Sequence, residues 1–189
     1  MTPRSALLSD AARDEVAGST DTAVRSTSAA AVAAALAAVA DAWLPRVEYR
    51  VGSRWTGLLP TGDAARLLDP SLAADVAGAQ VWLLTWLPGQ GTPLHDHGGS
   101  AGAFAVVRGT LTEDTVGGPV GAVREASTEL SAGRVRPFGP HHVHRVTNRG
   151  TLPAVSVHAY TSGLRSMSTY ALEAGVLLHT GTERAGVDW

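Results

Sequence analysis

Histidine clustering is the feature of this sequence with the clearest chemical consequence. The chain holds seven histidines, and five of them fall in two short stretches, Leu94-His95-Asp96-His97 and His141-His142-Val143-His144. In a β-strand alternate side chains point to one face, so His95 and His97 would present two imidazoles side by side, and His144 would do so from another strand. Three neutral imidazoles that converge on one point can bind a metal ion. We therefore predict a metal site made of His95, His97 and His144.

The ligand type alone leaves the metal open, because imidazole suits Zn, Cu, Fe and Ni. His142 has the same strand parity as His144 and is the one credible substitute for it. His141 and His179 are more simply explained as solvated or hydrogen-bonded side chains.

Glycines and prolines frame both histidine stretches. Gly89 precedes His95 by six residues, and Gly109 follows an apolar run. The second stretch continues from Gly133 through Pro137-Phe138-Gly139 to an H-x-x-x-N pattern that ends at Asn148. These two frames resemble the two motifs of the cupins, with two extra residues before the second histidine stretch.

The sequence departs from the general cupin pattern at one informative place. Cupins usually carry a metal-binding Glu four or five residues after the second histidine, where this chain has Ala101 and Gly102. A site of three histidines leaves both positive charges of the metal uncompensated by protein. Such a site favours an anionic thiolate together with dioxygen, so a thiol is the expected substrate.

The segments LHDHGGSAGAF, HRVTN and SVHAY also resemble the cysteine dioxygenase family, and a weaker resemblance extends over residues 47–172. That family consists of cupins that bind iron(II) through three histidines and convert a thiol and dioxygen to a sulfinic acid. The resemblance implies that His95, His97 and His144 are iron(II) ligands. It further implies that the substrate is a small thiol, with L-cysteine and its conversion to cysteine sulfinic acid as the first choice.

Ser156, His158 and Tyr160 occupy alternate positions of one predicted strand and therefore face one side. They match the hydrogen-bonded Ser, His and Tyr that the family places beside its iron. The resemblance makes Tyr160 the catalytic group, with a hydroxyl that donates to dioxygen or thiolate while His158 orients it. Animal members link this tyrosine to a cysteine, whereas the matching residue here is Gly102, as in bacterial members.

The family holds the carboxylate of its substrate with an arginine, and the position that matches it here is Gly57. A neutral residue does not replace a bidentate guanidinium. Either Arg54 or Arg66 therefore binds the substrate, or the substrate differs from cysteine. Solvated surface positions are the competing interpretation for both arginines.

Two other hypotheses stay open besides cysteine oxidation. The enzyme could oxidise a related thiol, such as 3-mercaptopropionate or an aminothiol, or the chain could be a non-catalytic cupin that senses or binds a small molecule. A cupin oxygenase or isomerase that acts on carbon ranks last, because it would more often use the missing carboxylate ligand.

The pattern of elements predicts an all-β sandwich or barrel with an N-terminal helix. The resemblance implies that it is a cupin barrel, a double-stranded β-helix or jelly roll. Short apolar or alternating runs punctuated by Gly and Pro occur at residues 47–59, 81–87, 103–114, 119–129, 134–138, 143–147 and 153–160. Segment 61–80 carries a helical turn, and segment 163–179 is a strand or a short helix.

The chain divides into an N-terminal arm and one domain. Residues 1–28 lack periodicity and predict a flexible arm. Residues 29–189 predict a single cupin domain whose first helix runs from Ala29 to Leu44 and stops at Pro45.

The charge balance sets expectations about partners. Fifteen Lys and Arg against 17 Asp and Glu give a formal net charge of −2, without a basic block. We therefore expect no nucleic-acid partner. The sequence shows neither a long apolar span nor a signal peptide, so we expect a cytoplasmic protein without a membrane partner. We expect a monomer or a weak homo-oligomer.

Overall fold

The fold consists of two antiparallel β-sheets in a computed structural model that describes residues 28–119, 121–161 and 163–187. The predicted arm, residues 1–28, lies outside the described residues except for Ser28. In chain order the described strands are β1 (Thr56–Leu59), β2 (Ala79–Trp86), β3 (Leu94–His95), β4 (Gly102–Arg108), β5 (Thr110–Gly117), β6 (Arg124–Ser131), β7 (Val135–Phe138), β8 (His144–Thr147), β9 (Ala154–Thr161), β10 (Ser166–Glu173) and β11 (Val176–Arg184).

The first sheet has the order β1-β2-β9-β4-β7, and the second has the order β11-β10-β3-β8-β5-β6. The non-sequential neighbours within each sheet are those of a jelly roll, so the predicted cupin barrel is confirmed. The run 103–114 consists of two strands that Gly109 joins, with a positive φ of 72°. The predicted strand or short helix at 163–179 is a longer hairpin of β10 and β11, which turns at Ala174 and Gly175, both with positive φ.

The first helix is shorter than predicted. Helix α1 covers Ser28–Ala38, and the chain then bends by 70° into 3-10 turns at Ala40–Ala42 and Leu44–Arg46. The indole Nε1 of Trp43 donates to the carbonyl of Leu36 at 2.8 Å, an acceptor that a continuing α-helix would use for its own backbone. Among the described residues no single helix is long and apolar enough to cross a membrane, although the bent pair Ser28–Ala38 and Ala40–Arg46 passes on length and composition together.

Two short helices lie in the segment where a helical turn was predicted. Helix α2 covers Thr61–Leu67 and helix α3 covers Ala73–Ala77, with a 3-10 turn at Pro70–Leu72 between them. They pack with α1 against the outer face of the first sheet. That sheet is therefore covered on both faces.

Strand β9 shows how the two faces differ. All eight of its residues are buried. Val155 and Val157 join the apolar cluster under the helices, whereas Tyr160 belongs to the cluster inside the barrel. Because side chains alternate along a strand, Ser156 and His158 point into the barrel together with Tyr160.

Asn148 ties the end of β8 to the strand that faces it. This fully buried side chain donates from Nδ2 to the carbonyls of Trp86 and Leu152, each at 2.9 Å, and its Oδ1 accepts from the N–H of Gly150 at 3.0 Å. The Asn of the H-x-x-x-N pattern is therefore a structural residue.

We predict that Asn148→Ala lowers the free energy of unfolding by about 2–4 kcal/mol, because it leaves buried backbone groups without partners. Urea unfolding of the metal-free protein, followed by circular dichroism, measures this change. Arg66→Ala is the control and should stay within about 0.5 kcal/mol, since its side chain is 80% exposed. A loss below about 1 kcal/mol for Asn148→Ala would contradict the assigned role.

Candidate metal centre

The three predicted ligands meet between the two sheets. Strands β3 and β8 are neighbours, and His95 lies directly opposite His144 in their register. The two ring centroids are 4.8 Å apart, and the ring of His97 lies 5.0 Å from each. One ligand nitrogen from each of the three histidines lies within 4.8 Å of the other two. The structure therefore brings His95, His97 and His144 together in a group that could hold a metal ion.

His97 reaches this position from a turn and not from the strand that was expected to carry it. Strand β3 ends at His95, and the carboxylate of Asp96 accepts from the N–H groups of Gly98 and Ser168, each at 3.0 Å. Gly98 has a positive φ of 57°. The turn therefore brings His97 back toward the other two histidines.

The three imidazoles are buried and neutral, as metal ligands must be. Burial, and then the neighbouring histidines, lower the pKa of His95 to about 3 and that of His97 well below its usual value. Burial also lowers the pKa of His144. Both ring nitrogens of His97 are buried without a hydrogen-bond partner among the described residues, which is costly unless a ligand satisfies them. A metal ion at this site would bind one of these two nitrogens.

Glu113 is a residue of the candidate site that the sequence analysis missed. Its carboxylate is fully buried and accepts hydrogen bonds from His144 Nδ1 at 2.8 Å, His142 Nε2 at 3.0 Å and Arg136 Nε at 2.6 Å. With Nδ1 of His144 bound to Glu113, Nε2 is the nitrogen left for a metal. The adjacent Glu113 and Asp114 inside an apolar run were the signal that could have found it.

Glu113, His142 and His144 also form a group that could hold a metal. The guanidinium of Arg136, 2.6 Å from Glu113, is a cation already placed there and disfavours a second one. Burial alone would raise the pKa of Glu113, but hydrogen bonds from His142, His144 and Arg136 hold it far below its usual value. We therefore assign Glu113 as the partner that orients His144, with His142 bound to the same carboxylate.

Ser156, His158 and Tyr160 form a hydrogen-bonded chain on β9. Ser156 Oγ lies 2.9 Å from His158 Nε2, and His158 Nδ1 lies 3.3 Å from the Tyr160 hydroxyl. Phe104 stacks on His158 with ring centroids 5.0 Å apart and planes at 13°. Burial lowers the pKa of His158 well below its usual value and raises that of Tyr160, so the imidazole is neutral and the phenol protonated.

A small cavity of about 20 Å³ lies between two of the clustered histidines and the hydrogen-bonded side chains of β9. The residues that line it include His95, His144, His158, Tyr160, Trp86 and Arg54. Arg54 also lines an outer cavity of about 600 Å³, so this residue contacts both cavities. Its Nη1 donates to the carbonyl of Gly91 at 3.3 Å, and its Nε is buried without a hydrogen-bond partner among the described residues.

Arg66, the other predicted substrate-binding residue, does not reach the site. It lies on α2 with its side chain 80% exposed and pairs with Asp63 at 3.0 Å. The helix carries it on the outer surface of the first sheet, away from the barrel interior. Arg66 is therefore not placed to contact a substrate in this cavity, whereas Arg54 is.

The two glycines singled out in the sequence have different surroundings. Gly57 lies on β1 opposite Leu83, outside the residues that line the inner cavity. Gly102 lies opposite Tyr160, and a Cβ added there would come within 2.6 Å of the carbonyl of Ala159 and 2.7 Å of the ring of Phe138. The Phe138 ring therefore fills the space beside Tyr160 that a side chain at Gly102 would need.

Comparison with solved structures finds proteins of low sequence identity. An oxalate oxidase in complex with the substrate analogue glycolate is 16% identical, with 64% of this chain and 56% of that chain covered and a TM-score of 0.49. An uncharacterized conserved protein with a double-stranded beta-helix domain from Klebsiella pneumoniae is 19% identical, with 65% and 89% covered and a TM-score of 0.49. The chain therefore spans just over half of the oxalate oxidase.

None of the curated proteins matches this chain. The family model described as cysteine dioxygenase type I matches residues 65–172, which is more than half of the sequence and includes every residue named above at the metal centre except Arg54. The chain belongs to the cysteine dioxygenase type I family.

Proposed function

We propose that this protein is an iron(II)-dependent thiol dioxygenase that converts L-cysteine to cysteine sulfinic acid. The observation that carries the proposal is one small cavity that is lined at once by two of the three clustered histidines, His95 and His144, and by Tyr160 and Arg54. The reaction adds both atoms of dioxygen to the sulfur of the thiol. Sulfur is oxidised by four electrons and dioxygen is reduced by four, so no further reductant is needed.

Three neutral imidazoles would hold iron, which supplies the site where thiolate and dioxygen meet and exchange electrons. His95 offers Nε2 to the metal, because its Nδ1 lies 3.0 Å from the carbonyl of Pro93. His144 offers Nε2 because Glu113 binds its Nδ1. Both rings are therefore held in one tautomer before a metal binds.

Arg54 is the residue that we propose for the carboxylate of the substrate. Its guanidinium lies over the ring of Trp86, with Cζ 5.7 Å from the ring centroid, and lines both cavities. The inner cavity is large enough for little more than one water molecule. A sulfur that enters it would leave the carboxylate near Arg54.

Oxidation of another thiol remains the second candidate, since 3-mercaptopropionate also has a carboxylate for Arg54. A non-catalytic cupin that binds a small molecule is the third. Oxygen consumption by the iron-loaded protein with cysteine, 3-mercaptopropionate and cysteamine separates these candidates, with the sulfinic acid identified by mass spectrometry. No oxygen uptake with any thiol would overturn the proposal.

We predict that Glu113→Gln weakens metal binding by about 10–100-fold, because the amide is a weaker partner for His144 than the carboxylate. Competition with a chelator measures the affinity of the protein for Zn²⁺ and, without oxygen, for Fe²⁺. Glu129→Gln removes an exposed carboxylate of β6 and should leave the affinity unchanged. An unchanged affinity for Glu113→Gln would show that this carboxylate does not support the ligand.

We predict that Tyr160→Phe keeps the bound iron but lowers the turnover number by about 10²–10⁴-fold, because only the hydroxyl that faces the cavity is removed. Iron content and oxygen-uptake rate at saturating thiol are measured on the same sample. Tyr49→Phe, at a side chain that is 46% exposed, is the matched control. Equal turnover numbers for wild type and Tyr160→Phe would reduce the phenol to a packing role.

We predict that Arg54→Gln raises the Michaelis constant at least about 30-fold for cysteine and 3-mercaptopropionate, since loss of one partner of a buried charge pair costs about 2 kcal/mol or more. Cysteamine lacks the carboxylate and should change little. Arg66→Gln is the matched control on the exposed side of α2 and should leave all three constants unchanged. Equal effects of Arg54→Gln on cysteine and cysteamine would contradict carboxylate binding.

A further inference from the structure

The indole of Trp86 extends the hydrogen-bonded chain of β9 by one member. Trp86 is the last residue of β2, fully buried, and its Nε1 lies 2.9 Å from Ser156 Oγ. Ser156 lies in turn 2.9 Å from His158 Nε2, and His158 Nδ1 lies 3.3 Å from the Tyr160 hydroxyl. Four side chains from two adjacent strands therefore form one line that ends at the cavity.

The donors and acceptors along this line can be assigned from the Trp86 end. An indole N–H can only donate, so Ser156 Oγ accepts from Trp86. The hydroxyl of Ser156 has one proton, and His158 Nε2 is the acceptor that it meets. A neutral His158 then carries its own proton on Nδ1, which donates to the oxygen of Tyr160.

The reverse order is less favourable. If the proton of His158 were on Nε2, it would donate to Ser156, and the serine proton would have no acceptor among the contacts described for this fully buried side chain. An unpaired buried hydroxyl proton costs free energy. The hydroxyl proton of Tyr160 would then be donated to His158 Nδ1 and could not point into the cavity.

We propose that Trp86 is a positioning residue that fixes the tautomer of His158 and so leaves the hydroxyl proton of Tyr160 free to point into the cavity. The role given to that proton rests on the proposed function, whereas the tautomer does not. The same indole supports Arg54 on its face, with Cζ 5.7 Å from the ring centroid. Trp86 therefore contacts Arg54 directly and reaches Tyr160 through Ser156 and His158.

The tautomer of His158 can be measured directly in full-length protein labelled with ¹⁵N in its histidine rings. Zinc-loaded protein is suitable because it is diamagnetic, and His158→Gln assigns the signals. Wild-type protein should show Nδ1 protonated and Nε2 unprotonated. Trp86→Phe keeps an aromatic ring for Arg54 but removes the N–H that binds Ser156 Oγ and directs the serine proton to His158. The serine hydroxyl can then turn away from His158, and the variant should show a mixture of both tautomers.

Trp43→Phe is the matched control. It also removes a buried indole N–H, the one that donates to Leu36, but that bond lies at the first helix outside the barrel. The His158 tautomer should stay unchanged in this variant. If Trp86→Phe does not fold, 3-benzothienylalanine at position 86 keeps the indole shape without the N–H and serves the same test.

Kinetics of the iron-loaded variant provide a second measurement. Trp86→Phe should lower the turnover number by about tenfold, because the hydroxyl proton of Tyr160 would no longer point only into the cavity. The Michaelis constant for the thiol should stay within about twofold, because the variant keeps an aromatic ring under Arg54. A wild-type His158 protonated on Nε2, or a tautomer unchanged in Trp86→Phe, would overturn the inference. A wild-type protein with the expected tautomer but no thiol oxidation would overturn the proposed function and leave the inference standing.

Discussion

The structure depends on the burial of four imidazoles between two sheets that exclude water. His95, His97 and His144 lie on the side of the second sheet, and His158 lies on the first. At these positions a protonated ring would lose its hydration and repel its neighbours, so all four pKa values lie below the usual value. Neutral rings with free lone pairs are the form in which histidine binds a metal.

The two sheets divide the work of the site between them. The second sheet and the turn after β3 supply the three candidate ligand histidines. The second sheet also supplies Glu113, which lies on β5 beside the strand that carries His144. The first sheet supplies the hydrogen-bonding chain of β9 and its support on β2. Because ligands and hydrogen-bond donors sit on separate sheets, a change in one set can leave the other in place.

The sequence was sufficient to predict residues whose geometry is local. The H-x-H pair and the alternating Ser156, His158 and Tyr160 depend on spacings of two residues, and the fold preserves their convergence even where His97 leaves the strand. Glu113 lies 31 residues from His144, and only the pairing of β5 with β8 brings them together. Arg54 and Arg66 could not be separated without the structure, because α2 turns one outward while the loop before β1 turns the other inward.

The charged side chains around the centre determine the net charge of a metal site that has no carboxylate ligand. Two carboxylates do lie close by, but both are already engaged: Glu113 pairs with Arg136, and Asp96 accepts from two backbone N–H groups and from the hydroxyl of Tyr170. Arg54 adds a half-buried positive charge to the lining of the cavity. A divalent metal would therefore leave the site with excess positive charge, which the thiolate and the carboxylate of one substrate can neutralise together. The buried Glu113 does not change this balance of charge, because Arg136 already neutralises it, and an anionic thiol therefore stays the substrate that fits the site best.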